Sequence, residues 1–159
     1  MPEDRIEKKV LLKAPVHRVW SAIADSRQFG IWFGVRFEGA FLPGTLVKGK
    51  IVPTQIDAAV AKEQEPFVGM ACDVLVERIE PERHLSFRWH PGADPDVQAS
   101  APTTLVAFEL APVEGGTLLT ITESGFENIP LERRAKAFTE NEGGWEMQGA
   151  LIAKYLDAA

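Results

Sequence analysis

PLERRAKAFTENEGGWEMQGALIAKYLDAA, residues 130–159, is the stretch that decides the fold. Leu131, Ala135, Phe138, Glu142, Trp145, Gly149, Ile152 and Leu156 follow one another at alternating steps of four and three. That rhythm belongs to a helix with one face buried along its length. Pro130 suits the first turn, where a missing N–H costs nothing. A helix from Leu131 to Asp157 spans roughly 40 Å, so something extended must lie against it. Gly143 and Gly144 each cost about 1 kcal/mol relative to Ala, and a break is expected there. Glu142 occupies an apolar slot of the stripe. It is either a carboxylate turned to solvent at that break or a polar group aimed into an apolar cavity.

Upstream, the pattern supplies the extended partner. Ile6, Lys8, Val10 and Leu12 read as a first strand. Pro15 opens a helix carrying Val16, Val19, Trp20 and Ile23. Asp25 or Ser26 caps a second one carrying Phe29, Trp32 and Phe33. The period then changes to two. Val35 with Phe37, Val47 with Ile51, Phe67 to Ile79, Leu85-Phe87-Trp89, Thr104 to Leu110 and Thr117 to Thr122 are strands. Val113-Glu114-Gly115-Gly116 is a hairpin signal. Thr54 to Pro66 is a short helical insertion or a loop, and Pro91 to Pro102 a long exposed loop. One strand, two short helices, a run of antiparallel strands and one long helix make an α+β domain. About seven strands are expected in one sheet curved around the C-terminal helix. No linker or repeat divides residues 1–159, which read as a single domain.

With 159 residues, a net charge of −6 and a pI near 5.1, the chain lacks the basic excess that phosphate backbones require. Nucleic acid is therefore not an expected partner. The charged N-terminus has no apolar core of a signal peptide. No run approaches the 18 or so apolar residues of a membrane span, so membrane insertion is not expected. Cys72 is the sole cysteine, which fits a reducing, cytoplasmic setting. One Cys and three His give no basis for a metal site, and no cofactor motif occurs. Asp94-Pro95-Asp96 lacks the further ligands of a calcium loop. No nucleophile elbow is present, so no catalytic residue is assigned. His90, at the end of a strand, is the histidine nearest an expected cavity rim.

Several motifs occur in fixed order. They are Ala14-Pro15-Val16-His17-Arg18-Val19-Trp20, Trp32-Phe33, Pro43-Gly44, Ile79-Glu80-Pro81-Glu82-Arg83, Phe87-Arg88-Trp89-His90-Pro91, Gly116-Thr117, Glu123-Ser124-Gly125-Phe126 and Glu142-Gly143-Gly144-Trp145. Together they resemble the START-like (SRPBCC), helix-grip domains, and within them the Aha1-type branch related to the activator of Hsp90 ATPase. The resemblance implies a fold and a cavity rather than a reaction, since such domains include lipid binders, hormone receptors and polyketide cyclases.

The expected ligand-binding set is Trp32, Phe33, Phe37, Phe87, Trp89, Phe108, Glu142, Trp145 and Gly149, with Gly149 deepening the space beneath the helix. The expected ligand is a small, largely hydrophobic molecule, bound by a monomer or homodimer. The alternatives are a cyclase- or lyase-type enzyme using Glu142 or His90, and a module that contacts a chaperone or another protein. Glu123 and Glu142 are a candidate carboxylate pair that would approach each other at the cavity mouth.

Overall fold

The computed structural model describes residues 5–91 and 101–157. Arg5–Leu12 forms β1, and two short helices follow, α1 (Val16–Ala24) and α2 (Ser26–Phe33). Asp25 caps α2, its side chain accepting from the backbone N–H of Arg27 at 2.9 Å and of Gln28 at 3.4 Å. Gly34 ends that helix in the left-handed region, φ 97°, which costs glycine nothing. Val35–Phe37 (β2) pairs with Gly49–Ile51 (β4), while Leu46–Val47 (β3) pairs elsewhere. The chain thus changes partner at Lys48.

Four longer strands carry the main sheet: β5 (Val74–Glu80), β6 (His84–Trp89), β7 (Thr104–Val113) and β8 (Gly116–Ser124). Its order is β1-β8-β7-β6-β5-β3, antiparallel throughout. The described residues therefore hold six strands in one sheet and two in a small second sheet, where a single sheet of about seven was expected. The β7–β8 turn is the expected hairpin: Val113 pairs with Gly116, and Gly115 has φ 87°.

Thr54 to Pro66 takes its helical option. Asp57 caps α3 (Ala58–Gln64) through the N–H groups of Ala59 and Val60, and a 3-10 turn at Glu65–Phe67 follows. Of the expected loop from Pro91 to Pro102, residues 92–100, including Asp94-Pro95-Asp96, lie outside the described residues.

The C-terminal helix α4 (Leu131–Asp157) runs for 27 residues without the break expected at Gly143-Gly144. Two glycines cost about 2 kcal/mol together. Burying Trp145, Leu151, Ile152 and Leu156 on the same helix gains more, at about 1.5–3 kcal/mol for each large apolar side chain. The first half of the predicted stripe is displaced. Leu131 and Ala135 are exposed, whereas Ala137 is buried and the Phe138 ring packs on Phe126, 5.2 Å between centroids. From Trp145 onward Gly149, Ile152 and Leu156 are buried as expected.

Alternation along the strands builds the core. Leu85 and Phe87 of β6, Val106 and Phe108 of β7, Leu119 and Ile121 of β8, and Ile6 and Leu12 of β1 are buried. Phe29 of α2 sits at the centre of the aromatic cluster. Its ring lies 4.8 to 6.3 Å from those of Trp32, Phe33, Phe37, Phe41, Phe87 and Phe108. Offset and edge-on pairs of this kind stabilise beyond their buried area.

Candidate functional site

A cavity of about 690 Å³ opens where the end of α2, the small sheet, the β5–β6 side of the main sheet and the middle of α4 converge. Its apolar wall comes from Phe33, Ile51, Met70, Leu75 and Trp89 among others, and Leu46 and Phe67 stand exposed at its edge. Gln64, Asp73, Arg88, His90, Asn141 and Gln148 contribute polar groups, and Thr103 and the exposed Glu140 also border it.

Of the residues expected to bind ligand, Phe33 and Trp89 line this cavity. Trp32, Phe37, Phe87, Phe108 and Trp145 do not. They pack one layer behind it in the aromatic cluster, where Trp32 donates from Nε1 to the Ala22 carbonyl at 2.9 Å. Gly149 does not deepen the cavity. It faces β1, where an added Cβ would meet Val10 Cγ2 at 2.9 Å, so this glycine lets helix and strand approach closely. Glu142 is exposed and absent from the cavity wall. The reading of Glu142 as a polar group aimed inward is therefore corrected: the solvent-facing alternative holds, without a helix break.

Among the described residues the buried carboxylate is Glu123, which is wholly inaccessible to solvent. The parity of β8 places it inward, two residues after Ile121, opposite Val106 on β7 and Ile6 on β1. Four side chains donate to it. Trp145 Nε1 reaches Oε1 at 2.8 Å and Trp89 Nε1 reaches Oε2 at 2.9 Å. The Thr104 hydroxyl donates to Oε2, and Asn141 Nδ2 donates to both oxygens at 2.9 and 3.0 Å. A buried carboxylate is costly without such donors. Here they come from β6, β7 and α4, so Glu123 ties the sheet to the helix directly behind the cavity. Trp89 and Asn141 belong both to this knot and to the wall. The rings of Trp89 and Trp145 stack at 5.5 Å.

Asn141, not Glu142, is therefore the α4 residue that comes to the site one turn before Trp145. An amide can donate to Glu123, whereas a second carboxylate would repel it.

The opposite wall is organised by the C-terminus of α2, whose last carbonyls have no partner inside the helix. The Thr54 hydroxyl donates to the Trp32 carbonyl at 2.8 Å, and the Gln55 N–H donates to the Ile31 carbonyl at 3.1 Å. The Phe33 carbonyl receives two side-chain amides, Gln64 Nε2 from α3 and Gln148 Nε2 from α4, each at 3.1 Å. Gln64 is held from its other end by the Thr54 N–H, which donates to Oε1 at 2.7 Å. Gln148 is not: it is buried, and its Oε1 is the one fully buried side-chain oxygen or nitrogen without a partner among the described residues.

Among the remaining polar groups, Asp73 accepts from the Gly49 N–H and Arg88 donates to Glu77 at 2.6 Å. His90 Nδ1 lies 3.3 Å from the Pro102 carbonyl. Cys72 lines the cavity, and burial, with the Asp73 carboxylate adding to it, pushes its thiol up to about 12. A thiol held neutral is a poor nucleophile.

Sequence reasoning did not assign Asn141, Gln148 or Cys72 to the site, and it paired Glu123 with Glu142 at the cavity mouth, whereas Glu123 is buried behind the cavity and Glu142 faces solvent. A strict period of two carried on from Leu119 and Ile121 places Glu123 inward. For Gln148 the signal is its spacing of seven from Asn141 and three from Trp145.

A six-stranded antiparallel sheet, a long C-terminal helix tied to it, and a cavity closed by short helices define a helix-grip, START-like protein. The family model described as "Activator of Hsp90 ATPase homolog 1-like protein" matches residues 13–157, and the chain belongs to that family. Among solved structures, the chain is similar to protein MLL2253 from Mesorhizobium loti (19% identity, TM-score 0.72, 98% of each chain covered). It is also similar to a protein from Arthrobacter aurescens (19%, 0.75, 99% of this chain and 88% of that one). A third is Ms6760 from Mycobacterium smegmatis (16%, 0.71, 95% and 89%). At these identities the likeness is one of fold. Among curated proteins, none matches the chain in sequence.

Proposed function

We propose that this protein binds a small, largely apolar molecule in the cavity bounded by Phe33, Met70, Leu75, Trp89 and the Asn141–Gln148 face of α4. The observation that carries this reading is the cavity itself. Its volume of about 690 Å³ is that of small-molecule sites, which are mostly apolar with a few fixed polar groups. Apolar area removed from water supplies the driving force, at roughly 25 cal/mol per Å². The Glu123 knot keeps Trp89 and α4 in fixed positions, so little side-chain freedom is lost on binding.

Ala71 lines the cavity from an exposed position, so an indole there takes up part of its space without entering the core. Calorimetric titration with 4-methylbiphenyl should show saturable one-to-one binding to the wild type and clearly weaker binding to Ala71→Trp. Equal affinities for the two proteins would place the probe elsewhere and overturn the reading.

A further inference from the structure

Gln148 meets two conditions that seldom coincide. It is 6% exposed, and it lines a cavity large enough for a small molecule. Its amide cannot turn over freely, because Nε2 donates to the Phe33 carbonyl. Reversal would set Oε1 against that carbonyl, acceptor against acceptor. Oε1 is thereby directed away from Phe33, and no described residue donates to it. The nearby amides are committed: Gln64 is engaged at both ends, and Asn141 Nδ2 is held by Glu123. A buried acceptor without a donor is costly to keep, and a cavity beside it gives a place from which a donor can come.

We infer that Gln148 Oε1 is the polar recognition point of the cavity, and that the cognate ligand is an apolar molecule bearing a neutral hydrogen-bond donor, a hydroxyl or an N–H, at the end that reaches α4. This rests on the apolar-ligand reading above and adds the ligand's chemical class to it. A neutral donor matches a neutral acceptor. The Arg88 guanidinium is already paired with Glu77, and among the described residues the site offers no other basic side chain besides His90 for an anionic head. The site should therefore prefer a phenol or alcohol to the same skeleton capped with a methyl group.

The test uses the full chain and two probes of nearly equal shape, 4-phenylphenol and 4-methylbiphenyl, titrated calorimetrically into wild type and Gln148→Leu. The comparison is weighted against the inference, because a hydroxyl is harder to remove from water than a methyl. Wild type should bind the phenol about tenfold more tightly or better, the scale of one buried hydrogen bond. In Gln148→Leu that advantage should vanish while 4-methylbiphenyl binds as before. If both probes bind wild type and the phenol is no tighter, the donor inference fails and the apolar cavity stands. If neither binds, the apolar-ligand reading fails first. Should Gln148→Leu not fold, the wild-type pair alone decides the inference by the same criterion.

Discussion

Glu123 and Gln148 are both polar residues on faces where alternation or helical spacing calls for apolar ones, and they differ in how completely they are partnered. Glu123 accepts from four side chains, Trp145 and Asn141 on Oε1 and Trp89, Thr104 and Asn141 on Oε2. Glu123→Gln keeps the shape but turns one acceptor into a second donor, facing either Trp89 and Thr104 or Trp145. It should destabilise the protein by about 1–3 kcal/mol, read as a lower urea midpoint with the slope unchanged. A midpoint equal to wild type would show that the knot contributes nothing net. Cys72 gives a prediction in pH. Its folded thiol is raised from the ordinary value to about 12. In the unfolded chain it loses its proton near 9, while the folded chain keeps it. Its contribution to stability is therefore present below about pH 9 and lost as pH rises toward 12. Cys72→Ala should lose less stability than wild type between pH 7 and pH 10.5, measured by urea unfolding at both. An identical loss would contradict burial of the thiol.

The long helix was legible in its length and ends, but its rotation was not. Two stripes run side by side through Trp145: Asn141-Trp145-Gln148-Ile152 and Glu142-Trp145-Gly149-Ile152. Spacing of three and four fits both, because a 3.6-residue turn falls between them. What selects the first for the cavity is tertiary. Glu123 needs a donor at 141, and Val10 of β1 leaves room only for a glycine at 149. The break expected at Gly143-Gly144 failed for a related reason, since local propensity is a weak prior against packing on both sides. A Cβ at either glycine would meet nothing within 4 Å. Gly143→Ala and Gly144→Ala should each stabilise by about 1 kcal/mol, seen as a higher unfolding midpoint. Destabilisation by either would mean that the helix is not continuous there. The hairpin at Val113–Gly116 and the caps Asp25 and Asp57 follow local chemistry, yet the sequence alone reads only the hairpin outright, leaving the α2 cap between Asp25 and Ser26 and Thr54–Pro66 between helix and loop.

At the scale of the whole molecule, order of elements and motif order together identify the helix-grip architecture, and the structure agrees with it. The cavity's location was less legible. An aromatic-rich sequence cannot say which rings fill the core and which face open space, because both need large apolar side chains on inward positions. Seven rings were expected at the cavity, and Phe33 and Trp89 are the two of them in its wall. The other five support these from behind. That division makes the indoles natural reporters. Trp89 borders the cavity, Trp32 is enclosed in the core, and Trp20 lies against the core's outer edge. The most direct measurement is a ¹H–¹⁵N correlation spectrum of the indole N–H groups during titration with 4-phenylphenol. Trp89 should shift progressively to saturation while Trp20 and Trp32 stay within a fraction of that change. A titration that moves Trp20 and leaves Trp89 in place would contradict a ligand site between the sheet and the helix.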